Sequence, residues 1–173
     1  MSGTTVGIIG AGPLGRWLAL AAARAGYRVL LEDVMPTNLH HAREYIRKEL
    51  AEQSASLVEY VSTVEDAVRE ADLSIDCVPD ELESKLEILW LIDRMAPPKT
   101  VIATPTMRLS IADLAACTYR AEKCVGIAVD PRGLAAPGSA IQLSVTEKTA
   151  PEAQQAVQDF WTKLGFAVSI GQG

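Results

Sequence analysis

Val6-Gly7-Ile8-Ile9-Gly10-Ala11-Gly12-Pro13-Leu14-Gly15 decides the fold: an apolar strand-type run opens directly into G-x-G-x-x-G. The three glycines have separate tasks. Gly10 permits the tight turn out of the strand. Gly12 has no side chain, so a pyrophosphate can approach the backbone. Gly15 lets the next helix pack closely on the sheet. Pro13 suits a helix start, where its missing N–H costs little. The first turn, which includes Leu14, presents unpaired N–H groups and the positive end of the helix dipole to phosphates. Asp33 ends the next apolar run, 23 residues after Gly10. Strand, glycine turn, helix and distal acid together predict a bound dinucleotide. The bland alternative is a glycine-rich turn in an α/β domain that binds no nucleotide.

Composition limits the remaining choices. The 173 residues suit a single domain, 1–173, and a 49% hydrophobic content supplies its core. A net charge of -6 argues against nucleic acid or an anionic membrane as the main partner. No apolar run approaches the roughly 20 residues of a membrane span. The start, Met1-Ser2-Gly3-Thr4-Thr5, has no basic segment, so no leader is expected and the predicted location is cytoplasmic. Cys77, Cys117 and Cys124 are odd in number and lie in apolar contexts. They read as buried free thiols, not as metal ligands or a redox pair.

Strands are predicted at about 4–9, 28–31, 73–78, 100–103, 125–129, 140–146 and 166–170. Helices are predicted at about 13–25, 38–53, 65–70, 81–95, 111–116 and 151–164, and 130–139 reads as a Pro/Gly-rich loop. On the 81–95 helix, Leu82, Leu86, Leu89 and Ile92 fall at helical spacing. Trp90 and Leu91, with Trp161, read as core in preference to a partner surface. The alternation predicts an α/β, Rossmann-type doubly wound fold: a mainly parallel sheet, helices on both faces, and no second domain.

These blocks carry a resemblance. Ala71-Asp72-Leu73-Ser74-Ile75-Asp76-Cys77-Val78-Pro79-Asp80-Glu81-Leu82-Glu83-Ser84-Lys85 is similar to the pattern A-D-L-V-I-E-A-V-x-E-x-L-x-x-K. Thr100-Val101-Ile102-Ala103-Thr104-Pro105-Thr106-Met107-Arg108-Leu109-Ser110-Ile111 is close to T-I-x-A-S-N-T-S-S-L-x-I. With the glycine turn and Asp33, these blocks resemble the N-terminal NAD-binding domain of the 3-hydroxyacyl-CoA dehydrogenases over nearly the full length. The resemblance implies NAD as cofactor, with Asp33 on the adenosine ribose and repelling a 2′-phosphate. Glu32 beside it could share that role. Asp80 stands where the family has a glutamate near the nicotinamide ribose, and Lys85 where it has a lysine close to the cofactor and the acyl-CoA. Val78 and Pro79 fall on the nicotinamide side. The plainer reading of Asp80 and Lys85 is a solvated helix start, with Lys85 pairing with Glu81.

The pattern breaks at the chemistry. The family base lies in G-x-H-F-F-N-P. Here Val125-Gly126-Ile127-Ala128-Val129-Asp130-Pro131 puts Ala128 at that position. Met107-Arg108 replaces the substrate-facing serine region. The orienting glutamate of K-L-V-E-V falls in Ile141-Gln142-Leu143-Ser144-Val145, which has no acid. The two histidines, His40 and His41, fall on the helix after the second strand and read as exposed. Thr104, Thr106, Arg108 and Asp130 are thin substitutes, each with a structural reading as a turn hydroxyl, a surface charge or a cap. Catalytic residues are thus unknown. Two functions stay open: an NAD-dependent oxidoreductase-like protein acting on a small molecule or an acyl-CoA, or a non-catalytic NAD(H)-binding sensor or partner subunit. A homo-oligomer or a partner chain is compatible with either.

Overall fold

The computed structural model describes residues 3–130 and 138–173. The opening apolar run forms β1 (Thr5–Ile9), with all five residues buried. Pro13 takes the first position of α1 (Pro13–Arg24), and Gly26, at φ +94, turns the chain into β2 (Arg28–Glu32). There follow α2 (Pro36–Glu49), α3 (Glu52–Ala55), β3 (Val58–Val61), α4 (Val64–Val68), β4 (Leu73–Asp76) and α5 (Leu82–Met95). The chain continues through β5 (Val101–Pro105), α6 (Ile111–Ala116), a 3₁₀ turn at Ala121–Lys123, β6 (Cys124–Ile127), β7 (Ala140–Val145), α7 (Pro151–Lys163) and β8 (Ala167–Gln172).

The strands form one sheet in the order β3-β2-β1-β4-β5-β6-β7-β8. Neighbours run parallel except β6 and β7. Alternate strand residues feed two apolar layers. Val6, Ile8, Val29 and Leu31 pack with α1, α2 and α7 side chains such as Leu18, Ile46 and Trp161. Ile9, Leu30 and Ile102 pack with Val68, Ile88, Ile92 and Leu114 from α4, α5 and α6. The Rossmann-type doubly wound sheet with helices on both faces is therefore observed.

Several boundaries differ from the sequence reading. The helix expected over 38–53 is two helices, parted where Leu50 and Ala51 adopt extended backbone. Strand β3 was not anticipated. It has four residues, lies at the sheet edge, and has only Val58 buried, so its apolar signal is weak. The strand expected to reach Val78 stops at Asp76, leaving Val78 and Pro79 in a loop. On α5 the buried residues are Lys85, Ile88, Leu89 and Ile92, and Leu82 is half exposed. Trp161 is core, but Trp90 is 50% exposed, with the Arg94 guanidinium over its ring. Cys124 is buried and Cys77 partly so, whereas Cys117 is exposed. Residues 131–137 of the expected 130–139 loop lie outside the described residues, as do Met1 and Ser2. Among the described residues, no helix is long and apolar enough to cross a membrane.

Candidate functional site

β1 lies between β2 and β4, so the sheet order reverses there and three carboxyl ends converge on one crevice. A groove of about 640 Å³ opens at this point. It runs from Gly10, Gly12 and Pro13 past Glu32 and Asp33 to Val78 and Pro79, with Ile88 and Leu91 of α5 as an apolar wall. A hollow of about 650 Å³ between α2, α3 and β3, lined by Arg43, Arg47 and Tyr60, shares no residue with it.

The glycine turn has the geometry a dinucleotide requires. Gly10 is at φ +99, a region that favours glycine, and its N–H donates to the Glu32 carbonyl at 2.8 Å. A Cβ on Gly15 would fall 1.7 Å from the Gly10 carbonyl oxygen, so α1 sits on the turn only because Gly15 has none. A Cβ on Gly12 would meet nothing within 4 Å: the space above that backbone is the groove itself. No acid lies in the first turn of α1 to oppose an anion. Pro13 lines the groove, and Leu14 is buried behind it.

Asp33 is 9% exposed and already engaged. Its Oδ2 accepts from Ala11 N at 2.9 Å and from Asn38 Nδ2 at 3.1 Å, and its Oδ1 accepts from Met35 N at 2.8 Å. A carboxylate has about four acceptor positions, so Oδ1 keeps one for an incoming hydroxyl. Glu32 is 3% exposed and lines the same groove. Burial, then the neighbouring Asp33 charge, pushes its carboxyl up to about 7, against an opposing contact from the Gly10 N–H.

At the other end, Asp80 is a clasp. Its Oδ1 accepts from Thr106 Oγ1 at 2.6 Å and its Oδ2 from Met107 N at 2.9 Å, while its carbonyl accepts from the Arg108 guanidinium. These bonds tie the β4–α5 loop to the β5–α6 loop. Thr106 Oγ1 also accepts from Leu109 N at 3.0 Å. Thr106 and Arg108 are thereby engaged in the fold.

Lys85 is neither a solvated helix start nor a partner of Glu81. It is fully buried, and its Nζ donates to Asp76 Oδ2 at 2.8 Å and to the Asp76 carbonyl at 3.1 Å. Thr104 Oγ1 donates to the same Oδ2 at 3.1 Å. The ammonium thus points under the sheet's carboxyl end, and Lys85 does not line the groove. Asp76 was missed as a candidate. An acid inside an otherwise apolar strand, at a position where the family pattern also has one, was the available signal. Burial first, then opposition from Lys85, leaves the Asp76 carboxyl above its ordinary range. The thiol of Cys77, beside it, is raised by burial to about 12 and stays protonated at neutral pH.

The profile of the family described as 3-hydroxyacyl-CoA dehydrogenase, NAD binding domain, matches residues 5–168. The chain belongs to that family. It is 30% identical over 180 residues to 3-hydroxybutyryl-CoA dehydrogenase of Bradyrhizobium diazoefficiens, covering 96% of this chain and 60% of that protein. It is 28% identical over 171 residues to 5-formyl-3-hydroxy-2-methylpyridine 4-carboxylate 5-dehydrogenase of Mesorhizobium japonicum, covering 93% and 55%. A crystal structure of 3-hydroxyacyl-CoA dehydrogenase from Archaeoglobus fulgidus superposes with a TM-score of 0.83 at 26% identity, covering 98% of this chain and 57% of that one. The chain therefore spans a little over half the length of these relatives. NAD is the cofactor of the family domain.

A separate hollow of about 220 Å³ shares no residue with the groove. Ala128, Met107 and Ser144 line it, with Thr106 and Ser110. His40 and His41 are exposed on α2 and line neither this hollow nor the groove. Arg28, at the opposite end of β2, pairs with Glu59 and Glu70.

Proposed function

We propose that this chain holds NAD(H) in the groove over Gly10–Gly15 and does not, with its own side chains, carry through the proton transfer of hydroxyacyl oxidation. The observation that supports this reading is that Ala128 and Met107, which the resemblance sets at the family's base and serine positions, and Ser144, within the stretch matched to its glutamate motif, line one hollow of about 220 Å³ with no histidine or acid among its described lining.

On this reading the first-turn N–H groups of α1 and the open backbone at Gly12 take the pyrophosphate. Asp33 Oδ1 accepts a ribose hydroxyl. Ile88 and Leu91 cover the adenosine half and exclude water. Val78 and Pro79 border the nicotinamide half, and Asp80 acts by fixing the two loops there. Lys85 acts through Asp76, holding the start of α5 against the end of β4. NAD, when bound, supplies a hydride acceptor. Oxidising an alcohol also needs a group to take the hydroxyl proton, and a missing general base costs about 10² to 10⁴ in rate.

A second reading, a dehydrogenase completed by another polypeptide, is favoured by one observation: the relatives named above are nearly twice as long. Isothermal titration with NAD, NADH and NADP, followed by an absorbance assay for NADH over a panel of 3-hydroxyacyl-CoA thioesters, separates the two. The expected result is NAD and NADH binding, weaker NADP binding, and no turnover by the isolated chain. Turnover by this chain alone overturns the first reading. Turnover only after a second protein is added supports the second.

A further inference from the structure

The groove carries a charge pattern that the binding of an anionic cofactor does not explain. Among the described residues its titratable lining consists of Glu32 at the end of β2, Asp33 just after it, Glu87 from α5 and the thiol of Cys77 after β4. The described lining from β1, α1, α2 and α4 adds no titratable side chain, and no lysine or arginine is among the described residues that line the groove. Asp33 is held by three donors. Glu87 is exposed on α5 and solvated. Glu32 differs from both. The residue is almost fully buried and lines the groove beside a second carboxylate, with only the Gly10 N–H acting to favour its ionised form.

We infer that Glu32 is a cofactor-facing group at the adenosine end that meets the cofactor in its protonated form, so that NAD binding takes up a proton. The inference rests on the placement of NAD proposed above. An ionised Glu32 would be sealed by the adenosine moiety in a space lined by no cation among the described residues, next to Asp33 and close to a pyrophosphate. Covering it removes its remaining water and adds negative charge nearby, and both effects favour the protonated carboxyl. The protonated form also has an O–H to donate, which an ionised pair of acids lacks. Before the cofactor binds, burial and then the Asp33 charge push this carboxyl up to about 7. Binding raises that value, so affinity is full below about pH 7 and falls as pH rises through the free and then the bound value. A rise of one unit on binding corresponds to a roughly tenfold loss of affinity across this range. Asp33 and Glu87 do not reproduce the effect, because neither is a buried carboxyl without a cation or a full set of donors.

The test is calorimetric. NAD is titrated into the wild-type chain between pH 6 and pH 8.5, in phosphate and in Tris, whose different ionisation enthalpies count the protons exchanged. Uptake of a fraction of a proton near pH 7.5 and a roughly tenfold rise in Kd by pH 8.5 are expected. ADP-ribose, the adenosine-bearing portion, should show the same uptake. Glu32→Gln should bind NAD with a flat pH profile, and Glu87→Gln should keep the wild-type slope. Binding without proton exchange in the wild-type chain overturns the inference and leaves the NAD site standing. So does a wild-type slope retained in Glu32→Gln. No NAD binding even at pH 6 overturns both. The wild-type measurements decide the matter if Glu32→Gln does not fold.

Discussion

Replacing Lys85 by Met tests what the α5 lysine does. Both members of the Lys85–Asp76 pair are fully buried, and Nζ makes two of the contacts that satisfy Asp76, at 2.8 and 3.1 Å. Methionine fits the aliphatic volume but leaves the carboxylate with Thr104 on Oδ2, while Oδ1 has no partner among the described residues. Breaking a buried pair by removing one member costs about 3–5 kcal/mol, because the other charge is stranded. An exposed pair such as Arg28–Glu70 is worth about 0–1 kcal/mol. Against a typical total of about 5–15 kcal/mol, the Lys85→Met loss is large. The loss should depend on pH with a definite sign. Burial already holds the Asp76 carboxyl above its ordinary range. Removing the cation that opposes this raises it further, so the folded variant binds more protons than its unfolded chain and loses stability as pH rises. Urea denaturation, followed through buried Trp161, should show a larger deficit at pH 8 than at pH 5. Asp76→Asn combined with Lys85→Met should recover most of the loss, since no charge is then stranded. A Lys85→Met loss below about 1 kcal/mol, or a double variant no better than the single, would refute this account and return Lys85 to the groove.

The glycine turn offers a paired test. Gly15→Ala puts a Cβ 1.7 Å from the Gly10 carbonyl oxygen and should cost about 1–3 kcal/mol of stability in thermal or urea unfolding, along with cofactor affinity. Gly12→Ala places its Cβ in open groove, so it should unfold like the wild-type chain yet bind NAD at least about tenfold more weakly in calorimetry, because the methyl occupies the pyrophosphate's approach. Equal stability losses in the two would contradict the separate roles. Asp33→Ala leaves the buried Ala11 N–H without its acceptor, at a cost of about 1–3 kcal/mol, and should abolish the NAD signal in the same titration.

Much of the sheet was legible because buried parallel strands are near-continuous apolar runs: Val6–Ile9, Val29–Leu31 and Val101–Ala103 leave no other reading. Strand β3 was not, because Val58–Val61 sits at the edge with one buried residue and draws its identity from pairing with β2. The break at Leu50 and Ala51 carries no proline or glycine, so nothing local marks it. The turn geometry at Gly10 and Gly15 and the place of Asp33 beside it were readable because each serves a backbone requirement tied to spacing. Lys85 and Asp80 were misjudged because a charged residue at a helix start is ordinarily solvated. Their actual partners, Asp76 on the preceding strand and Thr106 and Met107 on the next loop, are set by tertiary geometry that spacing does not encode. On α5, Lys85, Ile88, Leu89 and Ile92 form one stripe at helical period. A lysine within it suggested the wrong face, and the leucines at 82 and 86 drew the assignment outward.

This contrast explains how the two halves of a dehydrogenase site can separate. The cofactor half is made largely of backbone: a positive-φ turn, a helix terminus, an open glycine and a carboxylate held by three donors. Gly15 and Asp33 are built into the packing of β1, α1 and β2, the first against the Gly10 carbonyl and the second on the Ala11 N–H, whereas Gly12 serves the groove alone. On the proposed reading, the chemical half would depend on single side chains at the ends of β5, β6 and β7. Ala128, Met107 and Ser144 can stand there without cost to the sheet, since Gly126↔Ser144 and Ile127↔Leu143 pair through their backbones whatever the side chains do. On the proposed reading, this domain keeps its nucleotide groove without its own proton chemistry. The measurement that separates those properties is a binding titration beside a turnover assay on the same sample.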